Sequence, residues 1–183
     1  MTIARAARSV EFPARFQLVA AMNPCPCGWA GDPSGRCRCS PDIILNYRAR
    51  ISGPLMDRID LHVEVPRLPP SELRPDAPAV ESSEVVRERV VAARARQAAR
   101  AGKANAHLNQ SETNTVCRLS DADFALLERA IDTLHLSARS MHRIMRVART
   151  IADLADSPHI LTVHLSEAIG YRRVDRGVPV PVL

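Results

Sequence analysis

Four cysteines in two C-x-C pairs, Cys25/Cys27 and Cys37/Cys39, carry the clearest chemistry in this chain. Two close thiolate pairs joined by a turn-rich loop can meet around one tetrahedral Zn²⁺. Gly28, Gly31 and Gly35 let the intervening loop fold back. Zinc sites more often use C-x-x-C spacing, so the competing reading is four reduced, unliganded thiols. A site closed by four sulfurs has no open position, so a metal held here is expected to be structural rather than catalytic. The N-terminus lacks the apolar stretch of a secretory leader, which argues against a disulfide framework and leaves Cys117 as the odd thiol.

Three further polar residues sit where chemistry is feasible. Asn23 ends an apolar run, and is either a strand-terminating turn residue or an amide that orients a water or phosphate. Arg58 lies between Asp57 and Asp60, and is either locally paired or free to offer a guanidinium to a neighbouring subunit's phosphate. Arg139 falls in the first turn of an amphipathic helix whose arginine face reads by default as solvated. Residue chemistry leaves both readings of each open. No catalytic triad or paired-carboxylate signal stands out. The only Gly-Lys, Gly102-Lys103, is followed by alanine, so no G-x-x-x-x-G-K-[ST] phosphate cradle is present, and no apolar strand ends in an Asp-Glu pair.

The elements that must position these residues divide into two halves. Phe16–Met22 and Leu61–Val65 read as strands, with a helix over 41–51 between them broken by Gly53-Pro54. The segment Thr2–Phe12 reads as one arm of a hairpin or a frayed helix, the strand being favoured because Pro13-Ala14-Arg15 feeds directly into Phe16–Met22. Five prolines between Pro66 and Pro78 predict a linker, giving a core half over 1–67, a linker over 68–80, a helical half over 81–173 and a disordered tail over 174–183. In the helical half, Ser82–Ala101 shows a narrow stripe of Val86, Val90, Ala93 and Ala101 flanked by snorkelling arginines. Residues 103–117 read as a loop with a short turn. Ser120 and Asp123 predict a cap for a helix through Leu134, and Thr162 a cap for a last helix through about Arg172. The strongest periodicity runs from Ser137 to Ala155, with Met141, Ile144, Met145, Ala148, Ile151, Ala152 and Ala155 on one side and Arg139, His142, Arg143, Arg146, Arg149 and Asp153 on the other.

Composition narrows the function classes. The 183 residues carry a net charge of +5, with 25 basic and 20 acidic groups. That modest field suits phosphate partners but falls short of a dedicated nucleic-acid binder, and 3% aromatic residues leave little for base stacking. No apolar run reaches the ~20 residues needed to span a bilayer, so a soluble, cytoplasmic protein with no membrane partner is expected.

Three long stretches, FQLVAAMNPCPCG, CRCSPDIILNYRARISGPLMDRIDLHVEVPRL and LSARSMHRIMRVARTIADLADSPHILTVHLSEAIGYR, closely resemble the magnesium-chelatase-like AAA+ ATPases of bacteria, nearest the YifB/ComM-type group. The resemblance runs from about Thr2 to Arg173 and matches only the C-terminal part of such a protein. It implies an α/β fold, a partial AAA+ P-loop core, followed by an all-α helical lid bundle. It also implies sensor 1 at Asn23, an arginine finger at Arg58 acting on ATP held by the adjacent subunit, and sensor 2 at Arg139. The family implies ATP and Mg²⁺, hexameric rings, and DNA translocation or branch migration. The Walker half is missing, so this chain alone is not expected to hydrolyse ATP. Its strands Phe16–Met22 and Leu61–Val65 lack the P-loop strand that separates them in AAA+ cores, and should leave apolar edges open. Folding is therefore expected mainly through 79–173, with the cysteine loop as a local staple. A zinc-stapled module that binds nucleic acid or a partner, and a chelatase subunit, are the competing classes.

Overall fold

The computed structural model describes residues 2–5, 8–12, 16–74 and 80–172. The expected tail over 174–183 and part of the linker lie outside them. The chain forms two compact units, Met1–Ser52 and Gly53–Leu183.

The first unit begins with an antiparallel hairpin of β1 (Thr2–Arg5) and β2 (Arg8–Glu11), in the register Thr2↔Glu11 to Arg5↔Arg8. The expected strand over Phe16–Met22 is absent. Those residues form no ladder, and Phe16 and Val19 are 77% and 83% exposed. In the second unit Leu61–Val65 is likewise irregular, with Val65 83% exposed. The α/β core half expected from sequence is therefore not built. Strands are stabilised by cross-strand pairs, and an apolar run without a neighbour to take its N–H and C=O groups gains nothing by extending. After the cysteine loop, α1 (Pro41–Arg48) starts at Ser40, whose hydroxyl accepts from the Ile43 N–H at 3.4 Å. It stops three residues short of the predicted end. Gly53-Pro54 is not what breaks it: α1 has ended at Arg48, and Gly53 and Pro54 open a single turn, α2 (Gly53–Met56), at the start of the second unit.

The second unit is a helical bundle centred on α6 (Ala138–Leu154), which packs against α3 (Ser83–Ala101), α4 (Gln110–Val116), α5 (Asp121–Thr133) and α7 (Thr162–Gly170). Its apolar face is the one the periodicity predicts: Ile144, Met145, Ala148 and Ala152 are buried with Leu127, Leu165 and Ile169. Ser82 caps α3 and Gly102, at φ 67°, ends it. The predicted stripe on α3 is only partly right. Val86 and Val90 stay exposed, and the buried positions are Ala93 and Gln97. Residues 103–117 are also more ordered than expected. Asn109 and Glu112 form a reciprocal capping box that starts α4, with bonds of 2.9 and 2.8 Å. Ser120 caps α5 as predicted. Thr162 does not cap α7. Its hydroxyl donates to Asp123 at 2.6 Å, while His164 Nδ1 accepts the Leu161 N–H.

The predicted polar face of α6 needs the larger correction, because Arg149 and Asp153 are 2% and 1% exposed. Asp153 receives a two-pronged bond from Arg100 of α3, with both nitrogen–oxygen distances 2.7 Å. It also accepts from Asn105 at 2.8 Å and from Arg149 at 3.0 and 3.2 Å. Its backbone carbonyl accepts from Arg96. Arg149 in turn donates to the carbonyls of Ser157 and Pro158, fixing the turn after α6. One carboxylate thus ties α3, the Asn105–His107 turn and the end of α6 together.

Burial pushes the Asp153 carboxyl up, but the bonds from Arg100 and Asn105 and the charge of Arg149 outweigh this and hold it below the usual carboxylate range. A lowered folded-state value means that stability is fully present above the unfolded value of about 3.9 and lost as pH falls below it. Asp153→Ala should destabilise the bundle by about 3–5 kcal/mol in urea unfolding at neutral pH, because it strands two guanidiniums. In the native chain, unfolding free energy should drop between about pH 5 and pH 2, and Asp153→Asn should flatten that slope.

Candidate metal centre and arginine-bearing face

The cysteine loop brings its four thiols together. The four Sγ atoms lie within 4.8 Å of one another and could hold a metal ion. Cys25–Cys27, Cys27–Cys37 and Cys25–Cys37 are separated by 3.3, 3.7 and 3.9 Å. A tetrahedral ion with sulfurs at about 2.3 Å requires an edge of about 3.8 Å, which the three sulfurs of Cys25, Cys27 and Cys37 approach. Gly28 at φ 79° and Gly31 at φ 84° turn the loop back on itself, a backbone shape that side chains disfavour. The Gly28 N–H bonds the Cys25 carbonyl at 3.0 Å, and the Ala30 N–H reaches the Cys25 sulfur at 3.3 Å. Arg48 of α1 donates to the Pro24 carbonyl, anchoring the loop's start. Beside the thiols, Arg36 stacks over Trp29 at 5.0 Å from the ring centroid.

The thiols are not equivalent. Backbone N–H groups of Arg38 and Trp29 favour the Cys27 thiolate and bring its pKa down to about 6. At Cys39 the Cys27 N–H also favours the thiolate, but desolvation and the neighbouring sulfurs outweigh it and push the value up to about 11. Cys39 thus resists adding a negative charge beside Cys25 and Cys27 in one small volume. A divalent cation removes that conflict, since each thiolate then faces the ion instead of only its neighbours.

Asn23 stands in the same unit, exposed at the entry to this loop, and a methyl group on Gly28 would sit 4.0 Å from its Cγ. Arg58 and Arg139 are both in the second unit. Arg58 follows α2 and is exposed, with Nη1 donating to the Pro54 carbonyl at 2.7 Å. Arg139 is exposed in the first turn of α6. It lines a hollow of about 260 Å³ with Arg143, Arg146, His142, Asn109 and Gln110 among others. Arg143 connects the two: it lies one turn beyond Arg139 and its Nη1 donates to the Arg58 carbonyl and to Asp60, each at 2.6 Å. Arg146 donates to the Leu108 carbonyl at 2.9 Å. The sequence places Arg143 only on the arginine face of this helix and Asp60 only beside Arg58. The i+4 relation of Arg143 to Arg139 and its charge opposite to that of Asp60 were visible, but no local spacing joins residue 60 to residue 143.

Residues 80–172 match the family description "Magnesium chelatase, subunit ChlI C-terminal", and residues 1–73 match "Magnesium chelatase, subunit ChlI". The chain belongs to this magnesium chelatase family. It is 49% identical over 175 residues to the competence protein ComM of Haemophilus influenzae, and 45% and 43% identical to the uncharacterized YifB proteins of Escherichia coli and Salmonella typhimurium. Each match covers 95% of this chain and 34% of the relative, so the chain spans about a third of the length of the relatives it matches. Among the described residues, no helix is long and apolar enough to cross a membrane. In the family's helical domain Cys117 is a core residue, fully buried, and burial pushes its thiol up to about 11.

This separates two classes of thiol. With a chelator present, the exposed Cys27 should react with iodoacetamide within minutes at pH 8, while Cys117 reacts only as the bundle opens. Mass-spectrometric mapping of labelled peptides would check it, and Cys117 labelling as fast as Cys27 would contradict its placement in the core.

Proposed function

We propose that this chain is the sensor, finger and lid portion of an ATP-driven ring motor acting on DNA, stapled locally by a structural Zn²⁺ on Cys25, Cys27, Cys37 and Cys39. Asn23 serves as sensor 1, Arg58 as the finger directed at ATP on an adjacent subunit, and Arg139 as sensor 2. One contrast carries the reading. Along α6, Arg143, Arg146 and Arg149 are all committed to carbonyls or carboxylates, whereas Arg139 has no partner among the described residues. Arg58 likewise spends a single nitrogen on a neighbouring carbonyl. Guanidiniums held in solvent beside fixed neighbours suit a phosphate that arrives with the nucleotide. ATP and Mg²⁺ would be held by the P-loop and Walker B carboxylate, which this sequence lacks; the metal would supply charge neutralisation there, and the residues here orientation and charge. Ring assembly as a hexamer and DNA as substrate are what the family resemblance implies, and the name of the Haemophilus relative, a competence protein, is compatible with the latter.

The test joins residues 1–183 to the remaining two-thirds of the Haemophilus protein. That chimera should hydrolyse ATP and be stimulated by DNA, and the isolated chain should not hydrolyse it. Arg58→Ala should lower kcat by about 10³-fold or more, the size of an arginine-finger effect. Hydrolysis unchanged by Arg58→Ala would remove the finger assignment. Metal analysis of the purified chain should find about one zinc per molecule, falling towards zero in Cys25→Ser/Cys27→Ser.

A further inference from the structure

The sequence reading puts residues 53–67 in the core half, yet the segment just after α2 is fastened to the helical unit by four hydrogen bonds from two different places. Arg143 of α6 holds the Arg58 carbonyl and the Asp60 carboxylate through one nitrogen. Arg172, beyond α7 and 1% exposed, donates to the Ile59 carbonyl at 2.8 Å. The His62 N–H donates to the Tyr171 carbonyl at 3.0 Å, with the His62 side chain buried.

We infer that Arg143 and Arg172 are positioning residues that lock the backbone of Arg58 at a fixed place relative to Arg139. A finger works only if its guanidinium reaches a developing charge within a fraction of an ångström, so its backbone must be held. The segment's other bonds are local: the Arg58 N–H reaches Leu55 and its side chain reaches Pro54, both within the α2 turn, and among the described residues those on either side of the segment form no sheet. An exposed Arg–Asp pair alone contributes little, and Asp60 is half-exposed. What distinguishes this clamp is that Arg143 also holds the carbonyl of the finger residue itself, while a buried arginine from another element holds the next carbonyl. The segment therefore moves with α6, and any rotation of the lid carries Arg58 and Arg139 together. This functional consequence rests on the proposed roles of those two arginines; the clamp itself does not.

Amide hydrogen exchange on the full 183-residue chain tests it without nucleotide, so its failure is read separately from that of the ATPase comparison. Arg143→Ala should speed exchange over Ile59–His62 by about tenfold, with Ile144–Ile151 changed less than about twofold and the thermal midpoint little moved. Asp60→Asn should act in the same direction more weakly. The double variant should be no worse than Arg143→Ala alone, the signature of a shared interaction. Arg146→Ala, which removes the same charge one turn along, should leave Ile59–His62 unaffected. Unchanged exchange in Arg143→Ala, an equal rise in Arg146→Ala, or a rise spreading through α6 would each overturn the inference. If Arg143→Ala does not fold, Asp60→Asn carries the same test.

Discussion

A buried carboxylate needs more than one cation to be worth burying, and the helical unit is arranged around that requirement. Desolvating Asp153 alone would cost several kcal/mol. Arg100 answers with a planar two-pronged contact, Arg149 from one turn back, and Asn105 takes a remaining lone pair. Those three partners come from three separate pieces of chain, so satisfying one side chain fixes the approach of α3 to α6. It also explains why α3 has so weak an apolar stripe. Its C-terminal half is attached by Gln97 and Arg100 rather than by valines, and its N-terminal half stands largely in solvent.

That polar attachment is complemented by a second one where α5 meets the start of α7. Asp123, also buried, accepts from Ser120 of its own cap and from Thr162 at the start of α7. The apolar layer of Ile144, Ala148, Leu127 and Leu165 supplies most of the burial, but it is tolerant of sliding. Two fully bonded carboxylates are not, because a shift of one turn would leave a charge unpaired. Core and polar bonds thus divide the labour between cohesion and register.

The parts of this fold legible in the sequence were those settled by neighbours a few residues apart. The α6 apolar face, the Ser120 cap and the cysteine quartet all follow from spacing alone. The capping box at Asn109 was equally local and was passed over because polar residues on every side hid a short helix. The burial of Arg149 and Asp153 was half visible as an i,i+4 pair. Which face of α6 would be covered depended on Arg100, about fifty positions earlier, and on Asn105. The strands at Phe16–Met22 and Leu61–Val65 failed for the opposite reason. Their local pattern is a strand pattern, but a strand is a property of a pair, and among the described residues neither has a neighbour.

The two units reach order by different physics. The second is large enough to bury a cluster of side chains, and α6 gives it a centre. The first offers few buried residues: in its described part Cys25 is the buried apolar side chain, while Phe16, Leu18 and Val19 stay in water. Too small to gain much from burial, such a loop needs a covalent or coordinate cross-link to hold one shape. Four thiols gathered within 4.8 Å of one another, two of them poised to ionise and two resisting it, describe a loop whose remaining conflict is electrostatic. A divalent ion resolves that conflict and closes the loop in one step. The order of the residues beside Asn23 is then set by coordination chemistry, whereas that of Arg58 and Arg139 is set by helix packing and the Arg143 bond.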